Sequence, residues 1–501
     1  MLDITSNSAE EVGGHVYGLF TPLFNTDEVR PSCVYSMSLF WFLVFSAHLA
    51  IASSLVKYED NDLRHKQDGM QLNLYHITGL DSLTSTSPFS FSDMLKKDEE
   101  RVRYLHSRIA NKENVRSSSG TTSASTDKVR GPKPVSTPLK SGFPLHTGDY
   151  YVRIGLGTPA KYFSMIVDTG SSFSWLQCQP CRLYCHEQVD PLFNPSSSKT
   201  YKTLSCSSPQ CSSLKASTLH DPDCTSETGT CVYTASYGDR SFSIGYLSQD
   251  VLTMIPSETL SNFAFGCGQD NEGYFGRTAG LVGLSNDNLS MLAQFSNKYG
   301  NAFSYCLPTP SLAPNSSNVG FLSIGTSSLT SSSYKFTPLL KNPNEPSLYF
   351  LHLTLITLAR KPLGVAASSY KVPTIIDSGT VITRLPMPVY TALKNAFVKI
   401  MSKKYAQAQP ISIMDTCFIG SVKSLSTTMP EIKFIFHGGA DLPLKAHNTI
   451  VEPENGTFCL AFAGSSEINP LAIIGNFQQQ TFKVAYDVAN SRIGFAPGGC
   501  Q

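Results

Sequence analysis

One short pattern occurs twice in this chain, and it constrains the fold more than any other feature. Met165-Ile166-Val167-Asp168-Thr169-Gly170-Ser171 is matched by Thr374-Ile375-Ile376-Asp377-Ser378-Gly379-Thr380. Each is an apolar strand end, then Asp, a hydroxyl residue, Gly and another hydroxyl residue. Each also has a downstream echo of two apolar residues and a glycine. Gly283 in Leu281-Val282-Gly283 follows Asp168 by 115 residues, and Gly475 in Ile473-Ile474-Gly475 follows Asp377 by 98. One such turn is common after any strand. Two copies, each with its own echo, predict two related halves.

An Asp at the end of a buried strand is costly unless hydrogen-bonded. The glycine two residues on allows a tight turn and close backbone approach, and neighbouring hydroxyl and N–H groups can hold the carboxylate. Two such loops brought together place Asp168 and Asp377 in one site. Like charges that close cannot both ionise, so the pair shares a proton. One carboxylate can then take a proton from water while the other donates to a carbonyl oxygen, which is acid–base hydrolysis without metal or covalent intermediate.

The chain around the repeat reads as all-β from Gly142 onward. Tyr150–Leu156, Tyr162–Val167, Phe263–Gly266, Tyr349–Leu358, Lys433–Phe436 and Phe482–Tyr486 are short apolar-alternating runs bounded by turn residues. Helical periodicity is confined to Val389–Tyr405, whose Lys399, Lys403 and Lys404 read as a solvated face, and to Ser290–Tyr299. Hydrophobic residues make up 41 % of 501, enough for a large core, and charged residues 15 %. From residue 141 on there are 24 Lys+Arg against 22 Asp+Glu. That balance, without a basic run, argues against nucleic acid as a partner.

Upstream, Ser38–Ala52 is an apolar run of 15 residues, shorter than the ~20 of a membrane span. It reads as a secretory signal over residues 37–53. Met37 then reads as the working start, and residues 1–36 as an extension of the gene model. Residues 54–140 read as a propeptide. It comprises an amphipathic helix over Phe89–Ala110, capped by Ser92, and a Ser/Thr/Lys/Pro-rich linker over 111–140. Of 13 cysteines, Cys33 precedes the apolar run and 12 lie between Cys178 and Cys500. An even number confined to one region predicts a disulfide-stapled, secreted domain. Asn288, Asn315 and Asn455 head glycosylation triplets. Cys178, Cys181, Cys185 and His186 could instead form a zinc site, but the secretory signal favours disulfides, which leaves His186 as a surface residue.

These motifs resemble the pepsin-type aspartic endopeptidases, and in particular the plant nepenthesin-like branch, over residues 142–501. The resemblance implies a bilobal double β-barrel with a central cleft and lobes at 142–338 and 339–501. It makes Asp168 and Asp377 catalytic, with Ser171, Thr380, Thr169, Ser378, Gly170 and Gly379 holding them. Tyr237 and Gly238 become the flap over bound peptide, and Trp175 the tryptophan behind the first loop. Gly283 and Gly475 become the glycines beneath the aspartates. The cysteine-rich insertion and Phe477-Gln478-Gln479-Gln480 mark the branch. By analogy the pairs are 178–181, 185–267, 206–231, 211–224, 306–500 and 417–459. Two departures stand out. Residues 351–364 lack the Ser-Val-Gly-Gly turn of relatives, and no inhibitory lysine is assignable in the propeptide.

The expectation is therefore a secreted, monomeric endopeptidase of the apoplast or cell wall, with vacuole or plastid as alternatives. It would act on peptides at acid pH, without metal, cofactor or membrane span. The competing reading is a binding or inhibitor protein of the same fold. No Gly-X-Ser-X-Gly elbow supports a serine nucleophile. Gly155–Ala160 reads as a hairpin turn rather than a dinucleotide loop.

Overall fold

The structure is a computed structural model. It describes residues 90–110, 134–310, 319–329, 333–422, 425, 429–466, 470–498 and 500. The signal, the extension before Met37, Asn315 and residues 111–133 lie outside them. Strands dominate, in two related halves with several sheets.

The sequence repeat is a repeat of topology. In the first half, Lys161–Asp168 runs parallel to Gly280–Gly283, with Asp168 opposite Gly283. Trp175–Gln177 pairs antiparallel on the other side of Gly280–Gly283. In the second half, Thr374–Ile376 runs parallel to Ala472–Ile474, and Thr383–Leu385 flanks that strand through Arg384 opposite Ile473. Each aspartate thus stands where a strand turns back, with a distant strand inserted between the two arms. The inserted strands are the apolar-apolar-Gly echoes. Only a side-chain-free residue fits there. A Cβ on Gly280 would lie 2.1 Å from the Trp175 carbonyl oxygen, and one on Gly475 would lie 2.7 Å from that of Val381.

One sheet joins the halves. The C-terminal strands Phe482–Asp487 and Arg492–Pro497 pair with each other, with Ala302–Cys306 and with Lys335–Pro338. The predicted strands form within a residue or two, except that Tyr349–Leu358 divides into Phe350–Leu351 and Leu353–Leu358, and Phe263–Gly266 is the middle of Glu258–Glu272. Gly157–Ala160 is a hairpin turn. Residues 351–364 manage without the relatives' turn because Ala359 and Arg360 take positive φ of 49° and 65°. Alternation is visible in Ile432–Phe436, whose Ile432, Phe434 and Phe436 are buried. Each such side chain contributes about 1.5–3 kcal/mol.

Several expectations need correction. Val135–Ser141, read as the end of the linker, is a strand between Gly320–Ile324 and Tyr150–Leu156. A helix over Pro209–Thr218, capped by Ser208, was not legible in the insertion. Helix α1 spans Phe91–Ala110, and its cap is Ser90, whose Oγ accepts from the Asp93 N–H at 3.3 Å, rather than Ser92.

All 12 cysteines from Cys178 on are bonded. Cys306–Cys500 and Cys417–Cys459 form as expected. The other four pairs are exchanged: Cys178–Cys267, Cys181–Cys185, Cys206–Cys224 and Cys211–Cys231. Burial sorts them. Cys178, Cys267, Cys211 and Cys231 are core residues and bond one another, whereas the partly or fully exposed cysteines pair among themselves. His186 is not a surface residue. Its ring is buried against Phe275, Nε2 is 2.9 Å from the Thr278 carbonyl oxygen, and burial lowers its pKa. Asn288, Asn455, Lys399, Lys403 and Lys404 are exposed. No helix among the described residues is long and apolar enough to cross a membrane.

The tight insertion of Gly280–Gly283 makes Gly280→Ala a sharp test. The added methyl group meets backbone, which cannot rotate away, and should cost about 1–3 kcal/mol. The expected result is a lower urea midpoint with an unchanged m value.

Candidate functional site

The two Asp-Ser/Thr-Gly loops meet head to head. The Thr169 N–H donates to Ser378 Oγ at 3.1 Å, and the Ser378 N–H donates to Thr169 Oγ1 at 2.9 Å. Ser378 Oγ also donates to the Val167 carbonyl at 3.0 Å. Thr169 and Ser378 therefore lock the loops to each other and do not touch the carboxylates, contrary to expectation. Gly170 and Gly379 permit the approach. A Cβ on Gly170 would lie 2.7 Å from Asp377 Oδ1, and one on Gly379 would lie 2.6 Å from Asp168 Oδ1.

The carboxylates are held as expected by their own loops. Gly170 N–H donates to Asp168 Oδ1 at 2.9 Å, and Gly379 N–H to Asp377 Oδ1 at 3.2 Å. Thr380 Oγ1 donates to Asp377 Oδ2 at 2.6 Å. Its counterpart Ser171 adds to the groups lowering the Asp168 pKa, but its Oγ reaches no partner with hydrogen-bond geometry among the described residues. From below, Gln479 donates to the Asp377 carbonyl at 3.2 Å and Asn476 to the Ser378 carbonyl at 3.0 Å. The glutamine run is thus the floor of the second loop, a role that its sequence position did not reveal.

Helix α1 lies across both aspartates. Arg101 Nη2 is 2.6 Å from Asp168 Oδ1 and 3.0 Å from Asp377 Oδ1, while Nη1 and Nε reach the outer oxygens at 3.1 and 2.9 Å. One guanidinium thus binds both carboxylates in a fork geometry. The side chain that α1 sets against the aspartates is an arginine, not a lysine. Sequence reading missed it, although a signal existed. Met94, Leu95, Val102 and Leu105 form a buried stripe that includes Asp98, with Arg101 largely buried beside it, and charges on an apolar face need partners.

Further ion pairs flank the central one. Lys97 meets Asp149 at 2.7 Å, Arg384 meets Asp98 at 3.0 Å and Glu99 at 3.1 Å, and Arg108 meets Glu345 at 2.6 Å. The Cys231–Ser236 and Phe242–Ile255 hairpin folds over α1, with Tyr237 and Gly238 at its tip. The fit leaves no room for a side chain at Gly238, where a Cβ would lie 2.0 Å from Tyr104 Cβ. Trp175 Nε1 donates to the Tyr237 hydroxyl at 2.7 Å and so fixes the tip.

Electrostatics make the pair unequal. Burial disfavours the ionised form of both aspartates. At Asp168 this is outweighed by Arg101 and the loop donors, and the pKa falls below its ordinary value. At Asp377 burial and the Asp168 charge prevail over Arg101, and the pKa rises. Burial opposes the charge of Arg101, but the two carboxylates raise its pKa well above the usual arginine value.

Residues 150–326 match the family described as Xylanase inhibitor N-terminal, and residues 348–497 the one described as Xylanase inhibitor C-terminal. An aspartyl protease family protein of Arabidopsis thaliana is 40 % identical over 83 % of this chain and 84 % of its own length. Aspartic proteinase nepenthesin-2 of Nepenthes gracilis is 32 % identical over 87 % and 91 %. Among solved structures, conglutin gamma, a basic 7S globulin from lupine seeds, superposes with a TM-score of 0.58 at 21 % identity, covering 74 % of this chain and 96 % of that one. It shares the fold. The sequence relatives, with the paired Asp loops, make this chain a member of the plant pepsin-like aspartic protease family.

Proposed function

We propose that this chain is the precursor of a secreted, monomeric aspartic endopeptidase, with α1 as an inhibitory propeptide segment and two lobes, near 142–338 and 339–501, forming the cleft. The observation that carries this reading is the single guanidinium bound to both carboxylates. A group that touches Asp168 Oδ1 and Asp377 Oδ1 at once occupies the point at which a water would have to sit. When α1 leaves, water takes that position. The ionised aspartate accepts its proton as it attacks the scissile carbonyl, and the protonated one donates to the carbonyl oxygen. With Arg101 gone the facing carboxyl groups share one proton, so one aspartate serves as base and the other as acid. Extended peptide would lie beneath Tyr237, bonded through its backbone as an added strand. The xylanase-inhibitor family descriptions and the globulin neighbour favour a second reading, a non-catalytic binding protein. Both aspartates and Thr380 argue against it.

Three outcomes are expected. Asp168→Asn and Asp377→Asn should each lower proteolysis of a denatured protein by roughly 10²–10⁴-fold, since general acid–base catalysis contributes that much. Pepstatin should block the wild type. Loss in neither variant, or no proteolysis by folded, processed protein, favours the binding reading.

Arg101→Ala in the uncut chain removes the partner of two buried carboxylates, a change worth about 3–5 kcal/mol in comparable pairs. Uncut variant should therefore hydrolyse peptide at least roughly a hundredfold faster than uncut wild type. Equal rates would show that Arg101 does not restrain the site.

The pH profile of processed enzyme should be bell-shaped. Activity falls in acid as the aspartate pair takes up its second proton, and falls at higher pH as it loses the last one. The Asp168 charge, which raises Asp377, stays when α1 leaves, so the alkaline limb should lie above the ordinary aspartate range of about 3.9. Initial rates between pH 2 and 8 on one peptide test this.

A further inference from the structure

Arg384 is fully buried in the floor of the cleft, at 1 % exposure, and belongs to the second half of the molecule. Its fixed partner there is the Ile382 carbonyl, 2.7 Å from Nη1. Its counter-ions, Asp98 and Glu99, both come from α1. Nε has no partner among the described residues. The Asp98 carboxylate is held three ways: Oδ1 accepts from the Val381 N–H at 2.5 Å, and Oδ2 from the Ile382 N–H at 3.3 Å and from Arg384 Nη2 at 3.0 Å. Burial raises the Asp98 pKa on balance, against the Arg384 charge and the two N–H donors, which favour the ionised form.

Resting on the protease reading above, we propose that Arg384 with the Val381 and Ile382 N–H groups forms a carboxylate-binding subsite that selects an acidic side chain in the peptide substrate. In the precursor Asp98 stands in for that side chain. Departure of α1 takes both counter-ions away and leaves a cation and two N–H donors at the cleft floor. A buried charge in that state is costly, and an arriving Glu or Asp carboxylate relieves the cost with the same bonds. The spacing locates the subsite. Asp98 lies one turn before Arg101, about 4.5 Å along the helix axis. An extended peptide covers about 3.3 Å per residue, so the acidic residue falls one or two positions from the scissile bond.

The test uses the full chain cut between Ala110 and Pro134, which keeps every strand from Val135 on. It is assayed at pH 5, where a substrate glutamate is ionised. Peptide pairs carry Glu or Gln at each of three positions on either side of the bond. At one position within two residues of it, Glu should exceed Gln in kcat/KM by roughly 10–100-fold, the range for hydrogen bonds to a charged group. In Arg384→Gln the ratio should fall to about one, and in Arg384→Glu the position should favour Lys. A ratio near one throughout in the wild type, or a Glu preference that survives Arg384→Gln, overturns the proposal. A second arm covers variants that fail to fold. A synthetic 91–110 helix should bind processed wild type at least about tenfold more tightly than the same helix with Asp98→Asn, and equal affinity overturns the proposal. If nothing is hydrolysed but Glu peptides bind in an Arg384-dependent way, the subsite stands and the protease reading fails. If neither occurs, both fail.

Discussion

Two buried carboxylates facing each other cannot stay there by attraction, and the rest of the structure answers that repulsion. The reciprocal bonds between Thr169 and Ser378 hold the two loops against it. Gly170 and Gly379 let the loops close, since any Cβ would strike the opposite carboxylate. The inserted strands ending at Gly283 and Ile474 fix each loop from behind: the Leu284 N–H donates to the Asp168 carbonyl at 2.8 Å and the Asp377 N–H to the Ile474 carbonyl at 3.1 Å. The sheet strands uniting the halves tie both loops into one framework.

The same repulsion explains why the occupied cleft looks as it does. A cation between Asp168 and Asp377 offsets their repulsion in a buried site, and an arginine does this better than a lysine because its planar fork meets four oxygen atoms at once. The flap hairpin then closes on the helix rather than on peptide. Tyr237 is therefore half-buried here, and desolvation of its hydroxyl raises its pKa, with Trp175 binding that hydroxyl.

The aspartate pair, its glycines and the strand echoes were legible because each is a local pattern that recurs. Helix α1 was legible from its stripe, but Arg101 was not. Within a run as charged as Lys96–Arg103 a single arginine looks solvated, and only its place beside Leu105 and Asp98 marks it. Val135–Ser141 was hidden by composition, since Ser, Thr, Pro and Lys are also what a linker contains. Its alternation is real, with Val135, Thr137 and Leu139 facing inward. The disulfide partners were not legible at all. Cys211 and Cys231 find each other because Leu214, Tyr233 and Trp175 gather them into one apolar cluster, and no spacing rule encodes that.

The ion pairs along α1 also bear on how firmly it can be seated. Lys97, Asp98, Arg101 and Arg108 each lose water to meet a buried partner, and that desolvation cancels much of the Coulomb gain. Apolar contact comes from Met94, Leu95, Val102 and Leu105, a narrow stripe for a helix of 20 residues. A segment built this way is positioned with great selectivity and modest net affinity. Any single broken pair leaves a bare charge on both sides, so the register of the helix is fixed to the residue. A purely apolar helix of the same length would hold more tightly and would leave an apolar floor. This one faces Asp149, Arg384, the aspartate pair and Glu345, a row of charges whose order is the complement of its own.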